Sequence, residues 1–553
     1  MAGVNVVRLS SCVRTGSALV LAVGLVACGA DDPAPTAQAT ADAAPAGGSF
    51  VTQLGEPEHL TPTNSNESEG SQVLKALFTG LVSYDRDNKP VNQMAESIES
   101  PDQKVWTIKI KPGWTFHDGS PVVAKSFLDG WNYGALGANA QNNSAFFDKI
   151  VGFADLNPED PDGEGPIKAP AAKAKELSGL KVVSDTEFTV TLGAPFSQFP
   201  TTLGYQAFYP APPALLADPK KYGQAPVGNG PFKMDGVWKH NTAIKVTRFA
   251  DYKGTPAKAD AIEFRIYADF NTAYTDAQGG NIDIARDVLP ERIASAPTDF
   301  PERFVEAPSS DWQYLGFPTY DKRFADPELR RAFSMAIDRD AITEKIFSGT
   351  RTPARSIVSP VVDGYRQDAC GEACAYDPAK AKELFTKAGG FTGELTMLFN
   401  SGAGHDKWIE AVANNLRQNL GITDVKFKQL DFAQYLPLLD EKKLTGPYRL
   451  AWVMDYPSPQ NYLEPIFSTK GSSNTSGYSS ATVDKLIAEG NAASSVAAGI
   501  ENYHAAEDQI LKDMPVIPMF FGLEQVVFSE KVGNVTVDAF GNIRLAEVTV
   551  KGG

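Results

Sequence analysis

Histidine and cysteine are scarce in this sequence, at five and four residues among 553, and the histidines are scattered. Metal or nucleophile chemistry built on clustered His and Cys has little to draw on, and no metal is expected. No Gly-x-Ser-x-Gly elbow, phosphate-binding loop or paired zinc motif occurs, which argues against an enzyme and leaves no cofactor to expect. Positive charge is short as well: 51 Lys and Arg against 67 Asp and Glu leave a net charge of −16. Binding to nucleic acid through phosphates needs clustered cations, so that class of partner is excluded. After the first thirty residues no apolar run is long enough to span a bilayer.

Those first thirty residues differ in kind from the rest. Arg8 and Arg14 give a positive start without acidic residues, and Ala18 to Ala27 form an apolar run of ten. This is too short for a membrane span and suits a secretory signal peptide, assigned to residues 1–27. The run ends Leu25-Val26-Ala27-Cys28, small residues before a cysteine as in the lipobox of bacterial lipoproteins. Cleavage there leaves Cys28 first and lipidated; two or three acyl chains, at about 0.8 kcal/mol per buried CH₂, hold a protein at a membrane without a helix. Residues 28–48 are Ala, Pro, Thr, Asp and Gly with almost no large apolar side chain, which cannot offset the entropy of ordering, so they read as a flexible tether. With Cys12 removed and Cys28 lipidated, Cys370 and Cys374 remain, four apart around Gly371. In an oxidising compartment a disulfide is the simplest outcome; metal binding competes, yet two thiolates without a neighbouring histidine do not complete a zinc site.

A chain of 553 residues exceeds what one hydrophobic core serves, and two or three domains are expected. The spacing predicts a strand at 49–54, helical periodicity over Val73, Leu74, Leu77, Phe78 and Leu81, and alternating strands at 105–111 and 186–192 with a helix at 126–136 between them. Strands follow near 232–234, 244–248 and 261–267. From Asp326 helix and strand alternate: a helix from Pro327 to Phe347, another at 378–388, a strand at 394–399, a helix at 406–420 and a strand at 425–430, which implies parallel pairing. Strands at 516–520, 525–528 and 535–537 close the chain, and a lobe built from both chain ends fits this layout. Asp160-Pro-Asp-Gly-Glu164 has the look of a calcium-loop fragment without its later ligands, and a solvated loop is the better reading. His504 and Glu507, one helical turn apart, read as a surface pair.

Several stretches, in this order, resemble the large extracellular solute-binding proteins of the dipeptide/oligopeptide class, family 5: Leu60-Thr-Pro62 with Leu77-Phe-Thr-Gly-Leu81, Val105 to Gly119 (VWTIKIKPGWTFHDG), Asn229-Gly-Pro-Phe232, the helix Leu329 to Ile342, Tyr376 to Phe385 and Trp452-Val-Met-Asp-Tyr-Pro-Ser-Pro459. The resemblance implies an α/β fold of the periplasmic-binding-protein-like type II, a clamshell of two α/β lobes plus an extra β-rich domain. It assigns 49–80, 206–309 and 525–553 to lobe I, 81–205 to the accessory domain and 310–524 to lobe II. It also implies a monomeric lipoprotein in the periplasm or cell envelope, anchored at the extracytoplasmic face of the membrane. There it captures short peptides for the permease of an ABC importer and does no chemistry on them. Metal chelates, haem-like molecules or sugars are the alternative cargoes, and an envelope enzyme or structural lipoprotein is a third reading.

A receptor for many peptides must grip what all peptides share: the α-ammonium, the backbone and the carboxylate. By resemblance Asp455 occupies the ammonium-anchoring position, Arg449 the position that pairs with the carboxyl end, and Trp452 a side-chain pocket wall. As a strand, Tyr448 to Asp455 would put Arg449, Ala451, Val453 and Asp455 on one face. The competing roles are a cap for Asp455, a surface charge for Arg449 and a core aromatic for Trp452. Asn66 stands where relatives carry an acidic residue, with Glu67 and Glu69 as its nearest substitutes; Asn66 and Glu67 are therefore candidates, and Phe432 is a further pocket-lining candidate.

Overall fold

The computed structural model describes residues 47–160, 170–401, 403–430 and 432–552. The signal peptide, Cys28, nearly all of the tether and the loop beyond Asp160 lie outside the described residues, as does the side chain of Phe432, which heads the helix Phe432–Asp440.

Strand β1 (Ser49–Leu54) and helix α1 (Ser68–Leu77) open the described chain. A four-stranded antiparallel sheet follows, formed by β2 (Ala95–Glu99), β3 (Val105–Ile110), β4 (Leu180–Ser184) and β5 (Glu187–Thr191) in the order β2-β3-β5-β4. The alternation of Trp106, Ile108 and Ile110 with polar residues turns one face of β3 into a core that also holds Trp131, Phe147 and Phe188. Strands β6 (Phe232–Met234), β7 (Ala243–Arg248), β8 (Ala261–Ile266) and β9 (Ile284–Arg286) come next. Strand β10 (Phe304–Gly316) leads to helices α2 (Pro327–Met335) and α3 (Arg339–Phe347), strand β11 (Leu395–Asn400), helix α4 (His405–Leu420), β12 (Val425–Leu430), β13 (Tyr448–Trp452), helix α5 (Pro459–Phe467) and β14 (Val516–Phe528).

One large sheet of eleven strands runs through the molecule in the order β12-β11-β13-β10-β14-β9-β1-β8-β7-β6, the short strand Thr352–Pro353 adding to β14. Its two halves are joined by β10 and β14, 13 residues each, which pair antiparallel along most of their length. The pairing breaks register between Pro308 and Trp312, where Ser309, Ser310 and Asp311 step out of the ladder. As the βα alternation implies, β11 pairs parallel with β12 and β13, and β1 with β8 and β9. One half packs a core from residues 50–78, 209–284 and 526–550, so both chain ends do share it. The other half packs its own core around Trp312, Trp408, Tyr448 and Tyr462.

Three expectations are corrected. The helix foreseen over Pro327 to Phe347 is two helices, because Asp338 caps the second by accepting a hydrogen bond from the Ala341 amide at 2.9 Å. The strands at 516–520 and 525–528 are one, and 535–537 contributes only an isolated bridge from Val537 to Ile543. His504 and Glu507 are not a surface pair: Glu507 is fully buried and accepts hydrogen bonds from the amides of Ile357 (2.8 Å) and Val358 (3.3 Å). Among the described residues no helix is long and apolar enough to cross a membrane.

Candidate binding site

Strand β13 sits between β10 and β11 and ends at Trp452, three residues before Asp455. The chain then turns into α5, whose N-cap Ser458 accepts a hydrogen bond from the Gln460 amide at 3.2 Å, with Pro459 at the first helical position. That turn brings Asn461 over Asp455. The Asn461 side chain donates to Asp455 Oδ2 at 2.9 Å, while its Oδ1 accepts from the Asp455 amide (2.8 Å) and from Trp452 Nε1 (3.2 Å). Asp455 thus leaves the alternation foreseen for an eight-residue strand, and shares a partner with Trp452 rather than with Arg449.

Asp455 is half-buried at the wall of a cavity of about 450 Å³, which is also lined by Asn66, Glu67, Tyr84, Tyr205 and Phe540. Burial pushes its carboxyl up to about 6, against the Asn461 hydrogen bond and the nearby Tyr205 hydroxyl. Among the described residues no Lys, Arg or His forms an ion pair with it.

Glu67 caps α1, accepting from the amides of Glu69 (2.7 Å) and Gly70 (2.9 Å). Burial raises its carboxyl to about 7, partly countered by those amides. Tyr205 feels both Asp455 and Glu67, so the two carboxylates flank one phenol. Asn66 is exposed at the cavity edge. The site therefore joins an unpaired carboxylate, a second one held by a helix terminus, and tyrosine walls, an arrangement that receives a cation.

Arg449 and Trp452 do not line this cavity. Arg449 is buried rather than a surface charge, donating to Gln313 Oε1 from Nε (3.0 Å) and Nη2 (2.6 Å) and to Asn400 Oδ1 from Nη1 (3.0 Å). Asp311 lies close enough to help hold its charge against desolvation. His405, at the head of α4, is pushed well below the usual imidazole range by burial and then by the Arg449 charge. Its Nδ1 accepts from Trp408 Nε1 at 3.2 Å, so the neutral ring carries its proton on Nε2. Tyr205, Asn461 and His405 were not singled out in the sequence: Tyr205 lies 250 residues from Asp455 with no motif around it, and only the cap at Ser458 hints that Asn461 faces back.

Where the sheet halves meet, Ser309 bonds Glu524, whose carboxyl burial raises to about 7. Arg286 pairs with Asp287 at 2.8 Å and lies 3.9 Å from Glu69. Cys370 and Cys374 are disulfide-bonded. Among the described residues no group of three or more metal-ligating side chains is found.

A family model described as bacterial extracellular solute-binding proteins, family 5, middle, matches residues 89–474. The chain is similar to the dipeptide-binding protein DppE of Bacillus subtilis, with 27% identity over 96% of this chain and 97% of the relative. Among solved structures it resembles the murein tripeptide binding protein MppA of Escherichia coli (TM-score 0.78, 23% identity, 92% of this chain and 99% of that one). It also resembles Haemophilus influenzae OppA in complex with RPPGFSPFR (TM-score 0.77, 22% identity, 91% and 98%). These likenesses establish the periplasmic-binding-protein-like fold.

Proposed function

The chain belongs to family 5 of the bacterial extracellular solute-binding proteins, and on that premise we propose that it captures short peptides in the cleft between its two lobes and delivers them to the permease of an ABC importer. It works as a binding protein without chemistry, held at the extracytoplasmic face of the membrane by a lipid on Cys28. The lobes are 49–80 with 206–309 and 525–553, and 310–524; residues 81–205 form the accessory domain, a division supported by the separate cores. The relative named for dipeptides and the solved complex with a nonapeptide favour this cargo.

Asp455 carries the reading. A carboxylate on a cleft wall, hydrogen-bonded in place but without a cation, is completed by a ligand cation, and the α-ammonium is the one cation every unblocked peptide carries. Glu67, with Asn66 at the edge, adds negative potential across Tyr205. Arg449, deeper along β13, supplies positive charge for the carboxyl end of longer cargo, the neutral His405 offers its Nε2–H as a donor, and Trp452 braces Asn461.

Calorimetry with trialanine and its N-acetyl derivative tests the anchor. Removing one partner of a desolvated charge pair costs on the order of 2–5 kcal/mol, so Asp455→Asn and acetylation should each weaken binding roughly 30-fold or more, and their combination little further. Equal binding of free and acetylated trialanine by the wild-type protein would overturn the peptide reading. Separately, Cys28→Ser is expected to release the protein from the membrane fraction; unchanged retention would exclude the lipid anchor.

A further inference from the structure

The small four-stranded domain contacts the second lobe away from the cavity, and these contacts are specific. Lys149 Nζ lies 2.6 Å from Glu464 Oε1, each side chain about three-quarters covered. Glu464 also accepts from Asn491 Nδ2 at 3.0 Å and from Gln460 Nε2. Asn491 is used a second time, its carbonyl accepting from the Ser197 amide of the small domain at 2.9 Å, and Gln103 Nε2 donates to the Ser494 carbonyl. Lys149 also lies 5.1 Å from the centroid of the Phe196 ring. Burial works to raise the Glu464 carboxyl, yet the Lys149 charge and the hydrogen bonds of Lys149, Gln460 and Asn491 hold it below the usual range. None of Lys149, Glu464, Asn491, Ser197 or Gln103 lines the cavity.

Glu464 stands on α5, one turn beyond the Asn461 that grips Asp455. A single short helix therefore holds the cavity carboxylate at one position and the small domain at the next. Gln460, just before Asn461, is fixed in turn by the Tyr456 hydroxyl at 2.5 Å. An acceptor already oriented by two amides on its own side receives Lys149 without having to reorganise.

We propose that the Lys149–Glu464 pair, with the Ser197–Asn491 and Gln103–Ser494 contacts beside it, is a latch by which the small domain holds the second lobe closed, so that residues remote from cargo set how long cargo stays. The latch rests on the reading of a cleft that closes on a solute, and does not depend on that solute being a peptide. It gives the β-rich domain a function: a brace between lobes that raises the closed fraction, and with it the apparent affinity.

The test uses the full mature chain and two readouts. The first is the rate of disulfide cross-linking between Gln103→Cys and Ser494→Cys in cargo-free protein, which reports the closed population whatever the cargo is. The second is the dissociation rate of trialanine. With a charge-assisted contact of this kind lost, Lys149→Met should slow cross-linking and speed dissociation roughly tenfold each. Glu464→Gln should act in the same direction while keeping its amide partners. The exchanged pair Lys149→Glu with Glu464→Lys should restore both rates toward wild type. Unchanged cross-linking in Lys149→Met overturns the latch, as does a loss that the exchange leaves unrepaired. If trialanine fails to bind the wild-type protein, the peptide reading falls, and the cross-linking rates alone still decide the latch.

Discussion

Asp455 shows what one residue's surroundings do to its chemistry. Its carboxyl is raised to about 6 because burial outweighs the Asn461 hydrogen bond and the nearby Tyr205 hydroxyl, and no cation helps. Binding an ammonium requires the ionised form, so protons compete with cargo. Affinity should be fully developed above about pH 7 and should fall as pH drops through 6, approaching a tenfold loss per unit below about pH 5. Peptide amino termini stay largely charged up to about pH 7.5, so titration calorimetry from pH 5 to 7.5 reports the two cavity carboxylates, Asp455 and Glu67, and the Asp455→Asn variant separates them. Asp455→Asn should bind weakly with a flatter profile. A wild-type profile flat across that range would mean that no carboxylate of this kind meets the cargo. Asp455 and Arg449 could be picked out in the sequence because they lie in a recognisable stretch, Trp452 to Pro459 and the residues just before it. Tyr205 and Asn461 could not, because their roles come from a turn and a long-range approach that leave no local pattern.

At the scale of elements, the amphipathic pieces were the legible ones. Strict alternation located β3 and β5, because one buried face imposes a period of two. The break between α2 and α3 was hidden by helix-forming residues on both sides. Asp338 caps α3, and the tertiary context holds the break: Arg339 is buried and spends its donors on the carbonyls of Pro518, Ser334 and Cys374. The site depends on an equally local device, the cap of α5. Ser458 is fully buried and holds the first turn from which Asn461 projects. Ser458→Ala should cost about 1 kcal/mol of stability, measured by urea unfolding. It should also weaken trialanine binding severalfold, because Asn461 then holds Asp455 less firmly. Lost stability with unchanged affinity would show that the cap serves the helix alone.

For the whole molecule, the two long strands that carry the chain between the sheet halves matter more than any pocket. The cores on either side of them are packed separately: one around Trp312 and Trp408, one around Phe50 and Phe264, and one in the small domain around Trp131. Strands β10 and β14 run between the first two, with the Ser309–Glu524 hydrogen bond where the sheet halves meet. The interleaved chain path was readable because β character returns at the end of the sequence, whereas the register break at Pro308 to Trp312 was not. Separate cores predict that cargo-free protein does not unfold as one cooperative unit, so scanning calorimetry should show more than one transition. Cargo that touches both lobes binds only when they are native together. At 100 times its dissociation constant it adds about 2.7 kcal/mol to the lower-melting unit it bridges, raising that transition toward the upper one. Trialanine should therefore narrow the profile of the wild-type protein, and it should leave the profile of Asp455→Asn nearly unchanged at the same concentration. A single sharp transition without cargo would refute the independence of the cores, and an equal upward shift in the variant would place the cargo somewhere other than at Asp455.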